Sequence, residues 1–286
     1  MKVSLVIPAK NEAESLQQLL PELKAVVGDA EIVVVDDGST DNTGEVCRQH
    51  QVKQIRHPYS KGNGAAIKSG ARQATGDVIV FMDGDGQHRP EDVPRLLAKL
   101  EEGFDMVVGA RDKESQADSF RALGNFIYNK LATLLTGHKI LDLTSGFRAV
   151  TRSKFNQFLY LLPNGFSYPT TCTMAFFRAG YSVDYIPIKA EKRVGSSHLS
   201  IIKDGIRFLI IIFKVGTLYS PLKIFLPVSV SFFTLGFAYY LFTFLSDGRF
   251  TNMGVVLFVS AIFVFLIGLV SEQITTLMYK DDQSNS

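Results

Sequence analysis

Short apolar runs alternate with polar, helix-like segments through the N-terminal part of the chain. Continuous apolar strands separated by helices are typical of a parallel sheet that is covered on both faces. We therefore predict an α/β fold in which a mostly parallel sheet carries helices on both faces. The predicted strands are Val3–Ile7, Ile32–Val35, Val52–Arg56, Val78–Met82 and Met106–Gly109.

Helix starts are indicated by capping residues between these strands. Asn11 and Glu14 fit a capping box at the start of the first helix. Pro21 lies inside that segment and is predicted either to kink the helix or to restart it. Three further helices are predicted to start at Asp41 or Asn42, to cover Gly64–Ala74, and to start at Pro90-Glu91-Asp92.

Polar loops follow three of the strands, and two of these loops contain glycine. They are Ala9–Glu12, Asp36–Thr40 and Asp83–Arg89. Open α/β sheets bind ligands outside the carboxyl ends of their strands, so we expect the three loops to share one crevice.

The C-terminal part of the chain has a different pattern. Ile224–Leu245 carries no charge, and as a helix it would span about 33 Å against a bilayer core of about 30 Å. Met253–Ser271 is a second uncharged run, and the connection of residues 246–252 is short. We predict an antiparallel transmembrane hairpin, with a buried pair of helices in a soluble protein as the alternative.

Charge distribution sets the expected orientation of the hairpin. Residues 192–223 contain six basic residues against one acid, Asp204. Positive flanks stay in the cytoplasm, so the N-terminal domain and the C-terminus are predicted to be cytoplasmic. The basic residues are Lys192, Arg193, Lys203, Arg207, Lys214 and Lys223.

These patterns divide the chain into four parts. Residues 1–198 form a globular domain, 199–219 an amphipathic interfacial helix, 220–280 the two transmembrane helices, and 281–286 a disordered tail. The net charge is +2, and the two cysteines, Cys47 and Cys172, are in no metal-binding spacing. We predict reduced thiols and no nucleic-acid partner, and a homo-oligomer is left open.

The strongest chemical signal is Asp83-Gly84-Asp85-Gly86-Gln87-His88, directly after the fourth strand. Residues two apart in extended backbone point the same way, so Asp83 and Asp85 can face one ion, with Gln87 as a further oxygen ligand. Such ligands suit Mg²⁺ or Mn²⁺. An EF-hand would need Glu where the chain has Pro94. A surface turn rich in Asp and Gly stays open.

Two further loops are candidates for binding a nucleotide. The adjacent acids Asp36 and Asp37 can accept hydrogen bonds from a nucleobase or ribose, whereas a helix cap would not explain the pair. Lys61-Gly62-Asn63-Gly64 is not a dinucleotide fingerprint, because Ile67 occupies the third glycine position. It is a candidate phosphate loop with Lys61 as the charge, or a purely structural helix start.

The assembled motifs resemble those of polyprenyl-phosphate sugar synthases of the dolichyl-phosphate mannose synthase type, within glycosyltransferase family 2. The resemblance covers roughly residues 3–200, and the trailing hairpin is similar to that of bacterial members. The motifs are V-I-P-A-K-N-E, V-V-D-D-G-S-T-D-N-T, K-G-N-G-A-A, F-M-D-G-D-G-Q-H, V-V-G-A-R, T-S-G-F-R and R-V-G-S-S.

The resemblance implies a GT-A type nucleotide-sugar-binding fold at a bacterial-type inner membrane, with residues 1–198 as the catalytic domain. It implies a metal at Asp83, Asp85 and Gln87. It places Pro8, Glu12 and one acid of the pair Asp36 and Asp37 at the nucleoside. Together with Lys61 and Asp83 from the loops described above, these are the predicted donor-binding residues. The catalytic residues would be Asp85, Arg111, Arg121 and Arg193. Arg121, Arg193 and Ser197 would hold the acceptor phosphate.

The expected reaction is inverting sugar transfer from a nucleotide-diphosphate sugar to a polyprenyl phosphate such as undecaprenyl phosphate. A lipid phosphate with a second pKa of about 6 is already anionic, so a metal and arginines matter more than a general base. The favoured donors are a UDP-hexose or UDP-N-acetylhexosamine, with GDP-mannose as the alternative.

Other functions are weighed against this reaction. A processive polysaccharide synthase would carry a Q-x-x-R-W segment, and the chain has no Trp. Transfer to a protein or sugar hydroxyl is left open, since several Asp residues could act as the base. A non-catalytic membrane scaffold of a glycan-assembly complex is the alternative from another class.

Overall fold

The computed structural model describes residues 1–111, 119–165, 167–189, 210, 213 and 216–280. The chain divides into two compact units, Met1–Ser200 and Ile201–Ser286, which are described separately. Most of the predicted interfacial segment 199–219 and the whole tail 281–286 lie outside the described residues.

The first unit is built on a seven-stranded sheet with the order β3-β2-β1-β4-β6-β5-β7. Strand β6 runs antiparallel to β4 and β5, and the other neighbouring pairs are parallel. The predicted mostly parallel sheet is therefore confirmed, with two strands added to it. The strands are β1 Val3–Ala9, β2 Glu31–Asp36, β3 Lys53–Arg56, β4 Val78–Phe81, β5 Met106–Arg111, β6 Arg148–Thr151 and β7 Val183–Ile188.

Helices connect the strands as the polar segments predicted. The second helix begins directly after Asn42, and the fourth begins at Asp92, as predicted. The third begins at Asn63, one residue before the predicted start. The helices of the first unit are α1 Ala13–Val27, α2 Thr43–Gln49, α3 Asn63–Gln73, α4 Asp92–Glu101, α5 Ser119–Thr136, α6 Arg152–Asn156 and α7 Tyr168–Arg178. Because α1 is continuous across Pro21, the helix does not restart there, which excludes one of the two alternatives.

Alternate residues of the central strands pack against different helix layers. On one face, Leu5 and Ile7 belong to the buried cluster that includes Leu16 and Leu20 of α1. Val6 points the other way, and a Cβ added to Gly70 of α3 would lie 2.2 Å from its Cγ1. The sheet thus has helices on both faces, and its carboxyl edge is left for the loops.

The predicted capping box at Asn11 is wrong. Asn11 has a positive φ of 55° and is not the N-cap of α1. Its side-chain oxygen instead accepts a hydrogen bond from the Thr40 N–H at 2.8 Å. The first turn of α1 is capped from the neighbouring loop, where Asp41 Oδ2 accepts from the Ala13 N–H at 3.1 Å. The loops after β1 and β2 are therefore tied to each other.

The second unit is a helical hairpin formed by α8, Pro221–Asp247, and α9, Asn252–Lys280. Both helices are long and apolar enough to cross a membrane, with mean hydropathies of 1.7 and 2.9 over their apolar windows. Ser229 Oγ donates to the Ala261 carbonyl at 2.8 Å, and the Leu222 N–H donates to Glu272 at 3.2 Å. Both helices are longer than the predicted spans, because those spans cover only the uncharged part of each helix.

Candidate active site

The three polar loops meet at the carboxyl edge of the sheet, around an open cleft of about 460 Å³. The strands β1, β2 and β4 are neighbours and parallel, so their ends deliver the loops to one place. The cleft is lined by Pro8, Ala9, Lys10, Glu12, Asp37, Ser60, Gly62, Asn63, Ala66, Asp83, Gly84, Asp85, Thr144, Gly146, Gly165, Tyr168 and Pro169.

Asp83 and Asp85 both line the cleft directly after β4. Between them, Gly84 is packed closely on β1, and a Cβ at this position would lie 3.3 Å from both the Pro8 carbonyl oxygen and Ile7 Cγ2. Close approach to β1 therefore favours glycine at this position and keeps both carboxylates at the carboxyl edge of the sheet.

His88 lies next to the first of these carboxylates. Its Nε2 is 3.6 Å from Asp83 Oδ2, and its ring stacks on Phe147 with centroids 4.9 Å apart. Burial by itself raises the pKa of Asp83, but the His88 side chain and the charges of Arg111 and Arg148 more than offset this and lower it. Asp83 is therefore anionic at neutral pH.

The two carboxylates of Asp83 and Asp85 fit a divalent ion that is also held by a substrate. Mg²⁺ and related ions are commonly bound by one or two carboxylates together with substrate phosphates. Asp83 and Asp85 supply this pair, and the described part of the chain has no cluster of three His, Cys, Asp or Glu residues suited to a metal. Gln87 is not among the cleft-lining residues, and its N–H donates to Asp85 Oδ1 at 3.2 Å.

The structure separates the two acids at the end of β2. Asp36 is buried, accepts a hydrogen bond from the Ser39 N–H at 2.8 Å, and is contacted by Gln54 at 3.2 Å. It does not line the cleft. Asp37 does, so only one acid of the pair is exposed to the cleft.

Asp37 is also the organising acceptor of the loop after β3. Its two oxygens accept from His57 Nδ1, Ser60 Oγ and the N–H groups of Lys61 and Gly62, at 2.7 to 2.9 Å. Burial opposes ionisation, but these hydrogen bonds lower the pKa of Asp37 to about 2. The acid therefore holds the loop as an anion at neutral pH.

The phosphate-loop interpretation of Lys61 to Gly64 finds little geometric support. The N–H groups of Gly64 and Ala65 donate to the carbonyls of Gly165 and Asn164 at 3.2 and 3.1 Å. Lys61 is exposed, and its Nζ lies 5.8 Å from the Tyr59 ring centroid, outside the cleft-lining set. The start of α3 thus packs against the opposite wall instead of pointing its N–H groups at a ligand.

Arg111 is placed at the carboxyl end of β5 and is held by Asp142. Arg111 Nε and Nη2 contact the two Asp142 oxygens at 2.8 and 3.0 Å, and Nη2 also donates to Thr144 Oγ1 at 2.6 Å. Because Thr144 lines the cleft, this pair sets the position of the cleft wall. Asp142 was missed from the sequence, where it stands two residues before T-S-G-F-R with no motif of its own.

The second wall of the cleft was also missed. Gly146 lies so close to Asp83 that an added Cβ would be 2.9 Å from Asp83 Oδ2 and 3.2 Å from the Tyr168 hydroxyl. Tyr168 donates to the Gly146 carbonyl at 3.1 Å. Buried Arg148 lies behind this wall, bonded to the Pro169 carbonyl and Thr173. Thr144 and Gly146 lie within the T-S-G-F-R motif, which could have pointed to them as cleft residues, whereas Tyr168 lies in no motif.

The remaining predicted site residues are not located by side chain. Arg121 belongs to α5, but its side chain lies outside the described part of the structure. Arg193 and Ser197 also lie outside the described residues. Their roles stay predictions.

Comparison with solved structures supports the fold. The chain superposes on glucosyl-3-phosphoglycerate synthase from Mycobacterium tuberculosis in complex with Mn²⁺, UDP and phosphoglyceric acid, with a TM-score of 0.61 and 20% identity. The match covers 75% of this chain and 78% of that one. The same enzyme in complex with Mg²⁺ and UDP matches with a TM-score of 0.59. The fold is therefore of the GT-A type.

Curated relatives include the undecaprenyl-phosphate 4-deoxy-4-formamido-L-arabinose transferases. The Proteus mirabilis protein is 33% identical over 212 residues, which are 71% of this chain and 64% of the relative. The Salmonella paratyphi A protein is 38% identical over 161 residues, or 53% and 49% of the two chains. The chain thus spans less than two thirds of the length of these relatives.

Family patterns match both units of the chain. The pattern of Glycosyl transferase family 2 matches residues 4–159, which include the carboxylates of the cleft, and that of the GtrB C-terminal hairpin matches residues 220–277. The second match, with the two long apolar helices, makes this a membrane protein. The chain belongs to glycosyl transferase family 2 and carries a GtrB-type C-terminal hairpin.

Proposed function

We propose that this chain transfers a sugar from a nucleotide-diphosphate sugar to a polyprenyl phosphate such as undecaprenyl phosphate, at the cytoplasmic face of the membrane. The observation that carries the proposal is a cleft with Asp37, Asp83 and Asp85 on a chain that also has a GtrB-type hairpin. The curated relatives named as undecaprenyl-phosphate sugar transferases support the acceptor.

The proposed donor is a uridine-diphosphate hexose or N-acetylhexosamine. The solved neighbours hold UDP on the same fold, and the cleft has the acidic loops and the volume for a nucleotide. Asp37, whose oxygens already accept four hydrogen bonds, would hold the loop of residues 57–62 against the nucleoside at the edge of the cleft, with Pro8 and Glu12 on the neighbouring loop. Asp36 has no place in this arrangement, because it is buried and does not line the cleft.

Asp83 and Asp85 would hold Mg²⁺ or Mn²⁺ against the donor diphosphate. When bound, such an ion neutralises charge on the leaving diphosphate. Arg111, held rigidly by Asp142, adds positive potential at the same wall. We propose Arg121, Arg193 and Ser197 as the residues that bind the acceptor phosphate.

The reaction itself needs little proton transfer. An anionic phosphate oxygen of the lipid attacks the anomeric carbon, a new C–O bond forms, and the bond to the diphosphate breaks with its electrons leaving on the nucleotide. Attack opposite the leaving group inverts the anomeric centre. Since a lipid phosphate is already ionised near neutral pH, positioning and charge shielding are the main tasks of the protein.

The test is sugar transfer by purified full-length protein in vesicles that contain undecaprenyl phosphate. Labelled UDP-sugars and GDP-mannose are supplied with Mg²⁺, Mn²⁺ or a chelator, and label is counted in the organic phase. We expect lipid-linked label from one donor only, dependent on metal and on the lipid phosphate.

Asp85→Ala is the informative variant. We expect a loss of about 100-fold or more in transfer, the scale of removing a key electrostatic group from an active site. The matched control is Asp29→Ala, an exposed acid at the opposite edge of the sheet. Undiminished transfer by the Asp85 variant would reject the metal assignment. No transfer from any donor by the wild type would favour a scaffold instead.

A further inference from the structure

Arg148, the first residue of β6, is a charged side chain with no exposure to solvent. Its Nη1 donates to the Pro169 carbonyl at 3.0 Å and to Thr173 Oγ1 at 3.1 Å, and its Nη2 donates to the Ser145 carbonyl. Its Nε has no hydrogen-bond partner. The oxygen atoms that hold this guanidinium are therefore all neutral.

The charge of Arg148 is not balanced by a neighbouring acid. Within the described part of the chain, its contacts include no Asp or Glu, whereas Arg111 is paired with Asp142. The adjacent end of α7 is the N-terminal end, where Pro169 lies, and its dipole is also positive. A charge taken out of water is costly unless an opposite charge accompanies it. Packing by itself therefore does not account for an arginine at this position.

An opposite charge lies on the cleft side of the same wall, at Asp83. Phe81, two residues before Asp83, is paired with Arg148 in the register of β4 and β6. Gly146, which follows the carbonyl that Arg148 holds, lies so close to Asp83 that an added Cβ would be 2.9 Å from Oδ2. Burial raises the pKa of Asp83, and the charge of Arg148 is among the influences that lower it. The charge of the guanidinium is thus felt in the cleft, where burial leaves it little screened by salt.

We propose that Arg148 is a positioning residue whose fixed charge holds the donor diphosphate at the Asp83 wall without touching it. The inference rests on the proposed function, since it takes the bound anion to be a nucleotide diphosphate. Arg148 does not line the cleft, whereas three acids do: Asp37, Asp83 and Asp85. Those acids repel an arriving diphosphate, and a cation behind the wall offsets part of the repulsion. A guanidinium is always charged, and one held by packing need not reorganise when a ligand binds.

The same charge acts in opposite directions on the two proposed ligands of the cleft. It attracts a diphosphate and repels a divalent cation. Removing it should therefore weaken the binding of UDP and strengthen the binding of Mn²⁺ alone. A variant that merely loosened the wall would weaken both, so the signs of the two changes separate a role of the charge from a structural role.

Two neutral variants of the full-length protein make the test. Arg148→Met fills most of the volume of the side chain, and Arg148→Gln keeps a hydrogen-bond donor. The matched control is Arg152→Met, because Arg152 is a partly buried arginine that donates to the Gly76 carbonyl, before the start of β4 and away from the cleft. Calorimetric titration gives the dissociation constants of UDP and GDP at saturating Mn²⁺, and electron paramagnetic resonance gives that of Mn²⁺ alone.

Both Arg148 variants should bind the nucleotide that the wild type prefers about 10-fold more weakly, the scale of one charge lost at an effective dielectric constant of about 20. Both should bind Mn²⁺ alone more tightly, and the control should match the wild type. Unchanged nucleotide affinity, weakening of nucleotide and Mn²⁺ together, or loss of the folded state in both variants would overturn the proposal. A wild type that binds neither UDP nor GDP would instead reject the proposed function, and this inference with it.

Discussion

Single side chains in the cleft work mainly by holding each other in place. Asp37 accepts four hydrogen bonds from one loop, and Arg111 is fixed by Asp142. Preorganised charges act without reorganisation when a ligand arrives, which is the form of electrostatics that most favours a charged reaction. The geometry of the cleft therefore depends on hydrogen bonds between its own side chains and loops.

Gly146 tests the spacing around the proposed metal site. Gly146→Ala would place a methyl group 2.9 Å from Asp83 Oδ2, so the carboxylate must move. We expect donor binding in the presence of Mn²⁺ to weaken by at least about 10-fold, since displacing a ligand by an ångström has effects of this order. Calorimetric titration with UDP and Mn²⁺ measures this loss.

Gly165→Ala is the matched control for that variant. Gly165 also lines the cleft, but an added Cβ there meets nothing within 4 Å. Binding should be nearly unchanged in this control. Equal binding by both variants would mean that Asp83 is not needed where the structure puts it.

Glu31 makes a pH-dependent contribution to stability far from the cleft. Burial opposes its charge, but hydrogen bonds from Ser4, Thr75 and Lys53 lower its pKa from 4.5 to about 2. A lowered pKa means that the stabilisation is complete above the unfolded pKa and is lost as pH falls from about 4.5 to about 2. Its size is on the order of 3 kcal/mol at most.

Glu31→Gln should therefore lower the melting temperature of the purified protein at neutral pH. The melting temperature of this variant should also decrease less than that of the wild type as the pH is lowered. Glu22→Gln, at an exposed position of α1, is the control that should follow the wild type. Parallel melting curves of wild type and Glu31→Gln from about pH 6 to about pH 2 would contradict the assigned hydrogen bonds.

At the scale of elements, loops carry caps for helices that are not their own. Asp41 Oδ2 caps α1 through Ala13, while Oδ1 accepts from the Thr43 N–H of α2 at 3.0 Å. Asn42 is the N-cap of α2 by position, yet its side chain makes no capping hydrogen bond. Sequence spacing alone could not tell these two residues apart.

Asp41→Ala should destabilise the domain by about 0.5–2 kcal/mol for each helix that loses its cap. In a domain of this size, each kcal/mol lowers the melting temperature by about 2–4 °C. Asn42→Ala should stay within about 0.5 kcal/mol of the wild type. Differential scanning fluorimetry compares the two, and an equal loss in both would show that the cap belongs to Asn42.

The predicted and observed elements agree best where one pattern is strong. Strands β1, β2 and β4 are continuous apolar runs and were placed within two residues. Strand β6 is only four residues long and starts with buried Arg148, and β7 has partly exposed positions. Neither shows a clear hydrophobic pattern, so only pairing with β4 and β5 explains them.

At the scale of the whole molecule, the chain joins a GT-A domain to a membrane hairpin. The basic residues before Ile224 lead us to expect both termini in the cytoplasm and the connection between α8 and α9 outside. This orientation follows from charge alone and is open to a direct test.

Arg249→Cys places a thiol in the exposed connection between the two helices. A membrane-impermeant maleimide added to intact cells should label it. The native thiols interfere little, because Cys47 and Cys172 are buried and burial raises the pKa of Cys47 to about 11. A cysteine at Ser284 should be labelled only after lysis. Labelling of position 249 only after lysis would contradict this topology and place the connection in the cytoplasm.

The sequence by itself determined the α/β class, the meeting of three loops at one sheet edge, the Asp83 and Asp85 pair, and the hairpin. Each follows from local periodicity or from residues adjacent in the chain, which backbone geometry projects directly into space. Only the tertiary structure decided that Asp37, and not Asp36, lines the cleft. It also showed that the first N–H groups of α3 bond to the opposite wall, and it brought Gly146, Tyr168 and Asp142 to the cleft. Those contacts join residues far apart in sequence, and their partners depend on how the sheet is ordered.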